Sequence, residues 1–164
     1  MNKIDSFRKQ YYFLSNFYER NVEYNGLTYK NNEAAFQAQK CKTEEEKLQF
    51  INLNASEAKK LGRKVSLRAD WEDIKVNVMR DVVKAKFEQN GDLKDALLAT
   101  NDAYLEEGNT WGDRTWGTVN GSGANLLGQI LMNVREKLKE KENIEEIDYY
   151  EKNACEKIYQ IYFI

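Results

Sequence analysis

The sequence predicts a single domain of the mainly α class, an α+β arrangement with a small β component, and three observations support this prediction. Most of the chain repeats apolar residues at three- and four-residue steps, as amphipathic helices do. One early segment instead holds an Asn-Gly pair between aromatic residues, which is typical of a β-hairpin. With 164 residues, of which 41% are apolar and 32% charged, the chain can bury one core and is too apolar for disorder.

The β component is expected in the aromatic segment QYYFLSNFYERNVEYNGLTYK, residues 10–30. Asn25-Gly26 favours a type I′ turn because both residues tolerate a positive φ. We therefore expect two short strands at residues 21–24 and 27–29. A further strand is plausible in AYLEEG, residues 103–108.

Three short helices are expected next, each beginning at a residue that can cap it. The first begins near Asn32 and carries an acidic residue in its first turn. The second, in TEEEKLQFINL, is capped by Thr43, with Glu46 at the capping-box position. The third, NASEAKKLG, ends at Gly62.

Two long helices and a short one complete the prediction. The strongest pattern lies in DWEDIKVNVMRDVVKAKFEQN, which Asp70 would cap and Asn90-Gly91 would end. A short helix in DLKDALLATN follows, and the last helix lies in ANLLGQILMNVREKLKEKEN. The apolar stripes of the two long helices are Trp71, Ile74, Val78, Val82 and Ala85, with Gln89 at the edge, and Leu127, Ile130, Leu131, Val134 and Leu138.

Residues 143–164, rich in Ile and Tyr, are expected to form a C-terminal extension of the domain of residues 1–142. As a final helix or strand, the extension would pack on that domain or lengthen it. The alternative is a tail that binds a partner.

The chain contains no histidine. This absence excludes Ser-His-Asp and Cys-His triads, histidine zinc sites and imidazole acid–base chemistry. In an enzyme of this composition, carboxylates, lysine or tyrosine would have to move the protons.

The composition also indicates where the protein works. The beginning of the chain lacks the apolar core of a secretion signal, and no run of about 18 apolar residues is present. Cys41 and Cys155 are far apart in the sequence, and we expect them to be free thiols of a cytoplasmic protein. The net charge of −2 gives no overall attraction to DNA or to an anionic membrane.

The first helix carries a polar face. Glu33, Gln37 and Lys40 lie at i, i+4 and i+7, so they share one side of the helix, and Phe36 flanks them. A carboxylate with an ammonium two turns away can act as an acid and an anion-binding group. Spacing alone favours the simpler alternative, a solvated stripe whose Glu complements the helix dipole.

Two further segments have the composition of a nucleotide pocket. LGRKVSLRADW, residues 61–71, places Gly62 and three cations, the first of them Arg63, before Trp71. The cations suit a phosphate and the tryptophan face suits a flat base. A surface loop with a core tryptophan is an equally good interpretation. NTWGDRTWGTVNGSGANLLGQ, residues 109–129, places Asp113 between two tryptophans. Its glycines could bind an anion at the start of the last helix, although they match neither the Walker nor the Rossmann pattern. The alternative for Asp113 is a turn residue that accepts from nearby amides.

Eight motifs occur in the order expected of the YbiA-like, or NADAR, family, which the chain resembles over roughly residues 10–140. The motifs are FLSNFY (13–18), EAAFQAQK (33–40), LGRKV (61–65), LRADWEDIKVNVM (67–79), AKFEQN (85–90), LLATNDAYLEE (97–107), WGDRTWG (111–117) and GANLLGQILMNVRE (123–136).

The resemblance implies a compact, mainly helical YbiA-like fold and an N-glycosidase that hydrolyses early phosphorylated intermediates of riboflavin biosynthesis. It places the functional Glu, Trp and Asp of the family on Glu33, Trp71 and Asp113. Glu33 would stabilise the positive charge on C1′, Trp71 would stack on the base, and Asp113 would orient the ribose or share the role of base. Lys40 and Arg63 would take the phosphate. The full substrate-binding set is expected to be Asn16, Phe17, Phe36, Gln37, Lys40, Gly62, Arg63, Trp111, Gly121, Gly123 and Asn125, with no metal and no cofactor required.

Three hypotheses follow for the function. The first is hydrolysis of small pyrimidine ribose phosphates. The second is removal of ADP-ribose from guanine in DNA or nucleotides, which the acidic charge balance slightly disfavours. The third is a non-catalytic module that binds ADP-ribose, which ranks last because Glu33 and Asp113 are both present.

Overall fold

Six α-helices and two two-stranded sheets make up the part of the chain that the computed structural model describes, residues 2–163, without the side chains of residues 158 and 160–163. This arrangement confirms the predicted mainly helical class with a small β component. The helices are α1 (Asn32–Ala38), α2 (Glu44–Lys47), α3 (Ala55–Gly62), α4 (Trp71–Gln89), α5 (Gly91–Leu98) and α6 (Leu126–Phe163). The strands are β1 (Lys3–Ile4), β2 (Glu19–Tyr24), β3 (Leu27–Asn31) and β4 (Tyr104–Leu105), and 3-10 turns span Lys9–Leu14 and Leu48–Phe50.

The predicted hairpin is present and somewhat longer than expected. β2 and β3 pair antiparallel, with Tyr24 opposite Leu27. Asn25 and Gly26 both have positive φ, 51° and 82°, as a type I′ turn requires. The opposed Val22 and Tyr29 are fully buried, so this pair anchors the hairpin to the core beside α4.

The helix starts follow the predicted caps, with one correction. Thr43 with Glu46 forms the predicted capping box at α2, although α2 ends at Lys47 and continues only as a 3-10 turn. Asn54 forms a second capping box, at α3. The predicted cap of α4 is wrong: Asp70 stands at the N-cap position, but its carboxylate binds the guanidinium of Arg68 at 2.6 Å instead of a helix amide.

The predicted strand near residue 104 is present as β4, and its partner is the N-terminal β1. The two strands are parallel, with Lys3 opposite Tyr104 and Ile4 opposite Leu105. A strand of two residues has no measurable periodicity, so β1 could not be predicted. The pairing ties the N-terminus to the loop that follows β4.

The core lies where α4 meets the hairpin, α1 and α6. The predicted stripe of α6 is buried throughout. On α4, Val78 and Val82 are buried as predicted and Gln89 is exposed, while Met79 and Phe87 are also buried because α4 contacts elements on several sides.

α6 continues as one helix through the segment predicted to be an extension. Glu142 pairs with Lys94 of α5 at 2.8 Å. Beyond this ion pair, the described side chains are mostly exposed, including Ile144 and Ile147. The segment thus lengthens α6 and does not fold back on the domain. No helix within residues 2–163 combines the length and the apolar character needed to span a bilayer.

Candidate active site

A cleft of about 880 Å³ lies between helices α1, α3 and α4 on one side and the loop after β4 on the other. We call the first side the helical wall and the second the loop wall, and a segment of residues 7–17 closes one end. The helical wall consists of Glu33, Phe36, Gln37, Lys40, Ser56, Lys59, Lys60, Arg63, Trp71, Glu72, Lys75 and Met79. The loop wall consists of Glu107, Trp111, Gly112, Asp113, Thr115 and Trp116, and the segment contributes Phe7, Arg8, Tyr12, Ser15, Asn16 and Phe17.

Glu33 lies in the first turn of α1 and lines this cleft, with only 7% of the residue exposed. Its backbone N–H donates to the carbonyl oxygen of Asn16 at 3.0 Å, which ties α1 to the N-terminal segment. The Gln37 side-chain amide donates to Oε1 of Glu33 at 2.7 Å. The i, i+4 spacing predicted that Glu33 and Gln37 share one face of the helix, and the cleft lies against that face.

Opposing influences act on the Glu33 carboxyl. Burial raises its pKa, and Asp113 adds to the rise. The Gln37 hydrogen bond, Lys59 and Lys40 lower it. Burial in turn lowers the pKa of the Lys40 ammonium, against the attraction of Glu33. Burial is the largest of these influences, so the pKa of Glu33 is raised overall, while one amide and two cations oppose the rise.

Three aromatic rings join the two walls. Phe36 packs against Trp71 with ring centroids 5.1 Å apart and against Trp116 with centroids 5.4 Å apart. Trp71 is 5% exposed, whereas Trp111 is 54% exposed. Most of the Trp71 ring is thus packed, and Trp111 offers the larger accessible face.

Asp113 is both a turn residue and a cleft residue. Its Oδ1 accepts from the backbone N–H groups of Thr115 and Trp116, each at 2.9 Å. The Asn109 side chain accepts from the Asp113 N–H and donates to its carbonyl oxygen. These contacts hold the carboxylate in the loop wall. The two interpretations made from the sequence, a turn residue and a carboxylate of the pocket, are therefore compatible.

Glu107 is a third cleft carboxyl, and sequence reasoning did not single it out. Its side chain makes no hydrogen bond with any residue that the structure describes. Burial, Asp113 and Glu33, in that order, raise its pKa to about 8, against the attraction of Lys59. The only signal in the sequence was a carboxyl pair, Glu106-Glu107, directly after a strand.

Cations concentrate on the helical wall. Lys40 and Arg63 were predicted there, and Lys59, Lys60 and Lys75 join them. Lys59 Nζ lies 5.6 Å from the Phe17 ring and 5.9 Å from the Trp111 ring, so it faces both other sides of the cleft. Lys59 lies four residues before Arg63, a helical spacing that was the available signal.

The N-terminal segment is held by a buried ammonium. Lys86 of α4 donates to the carbonyl oxygens of Phe13 at 2.6 Å and Ser15 at 3.0 Å. Burial lowers its pKa to about 7. This contact fixes the chain just before Asn16 and Phe17, which line the cleft as predicted.

Four predicted substrate-binding residues do not line this cleft. A Cβ on Gly62 would lie 1.9 Å from Gln37 Oε1, so Gly62 packs behind Gln37. Gly121 lines a separate cavity of about 390 Å³. Gly123 packs against the carbonyl oxygen of Gly117, and Asn125 is buried against the backbone of Leu105 and Glu107. Gly123 and Asn125 thus shape the loop wall from behind, Gly62 packs behind the helical wall, and the proposed anion-binding rim of Gly121 and Gly123 is not part of the cleft.

Within the part of the chain that the structure describes, no group of three or more Cys, Asp or Glu side chains is arranged to hold a metal ion. Cys41 is buried and Cys155 is exposed, and both are free thiols.

Comparison with known proteins relates this fold and cleft to one family. Residues 4–139 match the model of the NADAR domain. N-glycosidase YbiA of Shigella flexneri serotype 5b is 41% identical over 129 residues, which cover 76% of this chain and 80% of that protein. A riboflavin biosynthesis protein of Vibrio vulnificus is 42% identical over 134 residues, which cover 78% of this chain and 36% of that protein. The NMR structure of the E. coli protein YbiA superposes with a TM-score of 0.76 at 36% identity, covering 87% of this chain and 89% of that one.

Proposed function

This chain belongs to the NADAR domain family, and we propose that it is an N-glycosidase, a hydrolase that cleaves the ribose C1′–N bond of a phosphorylated, nucleotide-like small molecule. The observation that carries the proposal is the position of Glu33. It is buried in a cleft that also contains Asp113, Trp71 and a row of cations.

The reaction requires stabilisation of a positive charge. As the C1′–N bond breaks, the electron pair leaves with the nitrogen, and the sugar acquires oxocarbenium character. A carboxylate beside C1′ stabilises that charge and takes a proton from the attacking water. Burial raises the pKa of Glu33, and Gln37, Lys40 and Lys59 oppose that rise, so a substrate with a developing positive charge would meet a carboxyl whose ionised form has three supporting groups.

We further propose how the parts of the substrate lie along the two walls. The heterocycle would stack on the accessible face of Trp111 and the edge of Trp71, since base–aromatic stacking tolerates many ring types. The phosphate would contact Lys40, Lys59 and Arg63 on the helical wall. Asp113, held by two backbone amides, would then orient the ribose hydroxyls.

Among the substrate hypotheses, a pyrimidine ribose phosphate of riboflavin biosynthesis is favoured. The relatives compared above are named as N-glycosidases and as a riboflavin biosynthesis protein, and ADP-ribose appears in none of those names. Removal of ADP-ribose from DNA is not favoured, and neither is a non-catalytic reader. A phosphorylated riboside is a metabolite of the cytoplasm, which is where we place the activity.

The test is direct measurement of base release by the purified chain. We expect hydrolysis of a pyrimidine ribose phosphate and not of ADP-ribosylated DNA. Glu33→Gln should lower kcat by at least about 10³-fold with little change in thermal stability, because the substitution preserves shape. Glu45→Gln, an exposed carboxyl on α2, is the matched control and should keep full activity. Normal turnover by Glu33→Gln would refute the assignment.

A further inference from the structure

We propose that Glu107 is a second catalytic residue, the general acid that donates a proton to the departing nitrogen. The inference rests on the proposed N-glycosidase function and adds to it the group that protonates the base. Without a proton, an electron-rich heterocycle is a poor leaving group, and the chain has no histidine to supply one.

Glu107 has the position that this role needs. It lines the same cleft as Glu33, one side chain coming from the loop after β4 and the other from α1, and the Glu33 charge acts on the pKa of Glu107. A substrate ribose bound in this cleft could therefore contact both carboxyl groups. Two flanking carboxyl groups, one acid and one base or nucleophile, are the usual arrangement in glycoside hydrolysis.

The backbone of Glu107 is fixed from both sides. Its N–H donates to Oδ1 of Asn125 at 3.0 Å, and its carbonyl oxygen accepts from the N–H of Thr118 at 2.9 Å. A Cβ on Gly117 would lie only 2.1 Å from that carbonyl oxygen, so the loop packs tightly against it. Two hydrogen bonds and this close packing thus fix the backbone of Glu107, which helps to position its side chain as a proton donor.

The neighbouring Glu106 shows that the orientation is specific. Its carboxylate accepts from Thr118 Oγ1 at 2.9 Å and pairs with Lys3, beside the smaller cavity. Consecutive side chains of extended backbone point to opposite faces. The pair therefore provides one carboxyl that is neutralised by a cation and one that faces the cleft without a hydrogen-bond partner among the described residues.

The groups around Glu107 and Glu33 differ, and the difference suits the two carboxyls to different roles. The groups that act on Glu107 are Asp113 and Glu33, which disfavour its ionisation, and Lys59, which favours it. With burial they raise its pKa to about 8, so the carboxyl is protonated at neutral pH. Burial raises the pKa of Glu33 as well, but the Gln37 amide donates a hydrogen bond to its carboxylate, and Lys59 and Lys40 both favour the ionised form. Of the two carboxyl groups, Glu33 has a donor for its ionised form and Glu107 has none among the described residues, so Glu33 suits the base and Glu107 the acid.

The step balances without a cofactor. The C1′–N bond breaks with its electron pair on nitrogen, which takes the Glu107 proton. The oxygen of water bonds to C1′, and a water proton passes to the Glu33 carboxylate. The products are the free heterocycle and the ribose phosphate, and the two carboxyl groups then exchange protons with solvent.

The experiment compares Glu107→Gln with Glu106→Gln in the full chain, on pyrimidine ribose phosphates whose leaving nitrogens differ in basicity. We expect kcat of Glu107→Gln to fall about 10²–10⁴-fold. The loss should grow as the leaving nitrogen becomes more basic, whereas Glu106→Gln keeps the wild-type dependence.

The pH profile gives an independent readout. Wild-type kcat should decline as the pH rises through the pKa of the acid, and that limb should be absent from Glu107→Gln. If Glu107→Gln does not fold, Glu107→Asp replaces it and should keep the alkaline limb at a reduced kcat.

Two outcomes refute the inference in distinguishable ways. An active wild type with an unaltered profile in Glu107→Gln would overturn the role of Glu107 alone. A wild type that releases no base from any of these substrates would overturn the proposed function and the inference with it.

Discussion

The helical wall of the cleft is held by main-chain hydrogen bonds that repeat every turn, whereas the loop wall combines isolated main-chain hydrogen bonds with contacts of two asparagine side chains. In the helical wall, Glu33 and Gln37 bind each other directly because they lie one turn apart. In the loop wall, Asn109 fixes Asp113, and Asn125 fixes Glu107. The loop wall therefore depends on contacts that do not repeat along the chain, so one substitution there should displace a carboxyl.

The two walls also differ in charge. The helical wall carries five cations and the carboxyl groups of Glu33 and Glu72, while the titratable groups of the loop wall are the carboxyls of Glu107 and Asp113. An anionic substrate entering this field would turn its phosphate towards the helical wall. The sugar would then lie between Glu33 and the loop carboxyls, where the proposed chemistry occurs.

The largest expected effect comes from a substitution behind the loop wall that disrupts its packing. Gly117→Ala would place a Cβ 2.1 Å from the Glu107 carbonyl oxygen and 2.8 Å from Asn109 Nδ2. We expect the free energy of unfolding to fall by roughly 2–4 kcal/mol, because the clash disrupts buried hydrogen bonds. Activity at a temperature where the variant stays folded should fall as well, since Glu107 moves. Chemical denaturation and kcat measure the two effects.

The control for that substitution is Gly91→Ala at the start of α5, where a Cβ meets no atom within 4 Å. It should leave activity unchanged and alter stability by less than about 1 kcal/mol. Equal losses in the two variants would mean that the loop wall is no more sensitive than a helix end.

An intermediate effect tests the aromatic contact between the walls. Trp71→Ala should weaken substrate binding by about 1–3 kcal/mol, because it removes a stacking edge and the support of Phe36. Trp71→Phe, which keeps a ring, should recover part of that loss. KM and the free energy of unfolding, measured together, separate the two contributions. An unchanged KM with lowered stability would assign Trp71 to the core alone.

The smallest expected effect concerns the rim of the helical wall. Arg63 is exposed, so Arg63→Gln should raise KM by a factor equivalent to about 0.5–1 kcal/mol, and added salt should diminish the difference. Its neighbour Lys64 does not line the cleft, and Lys64→Gln is the matched control. If both substitutions raise KM equally, the contribution is the general charge of this face and not a phosphate contact.

The same contrast explains what could be predicted from the sequence. The Asn-Gly pair predicted the hairpin, and periodicity and capping residues predicted the helix starts and the buried stripe of α6, since these depend on neighbours within a few residues. Glu33, Gln37 and Lys40 could be placed together for that reason. Asp70 failed as a cap because a nearby Arg68 competed for its carboxylate.

The loop wall could not be predicted in this way. Gly121, Gly123 and Asn125 stood out as polar and glycine-rich, but composition does not tell a residue that faces a cleft from one that packs behind it. Their positions depend on contacts such as Asn125 with Leu105, 20 residues away. Glu107 was missed because its environment is created by burial in the folded cleft and by groups that include Glu33, which is distant in the sequence.

The continuous α6 has a consequence for how the protein behaves in solution. A helix of 38 residues is about 57 Å long, roughly half of it beyond the ion pair of Glu142 with Lys94. The molecule is thus a sphere with a rod attached, and it diffuses more slowly than a sphere of 19.2 kDa. Gel filtration calibrated with globular standards would overstate its mass, so light scattering is the measurement that reports the true number of subunits.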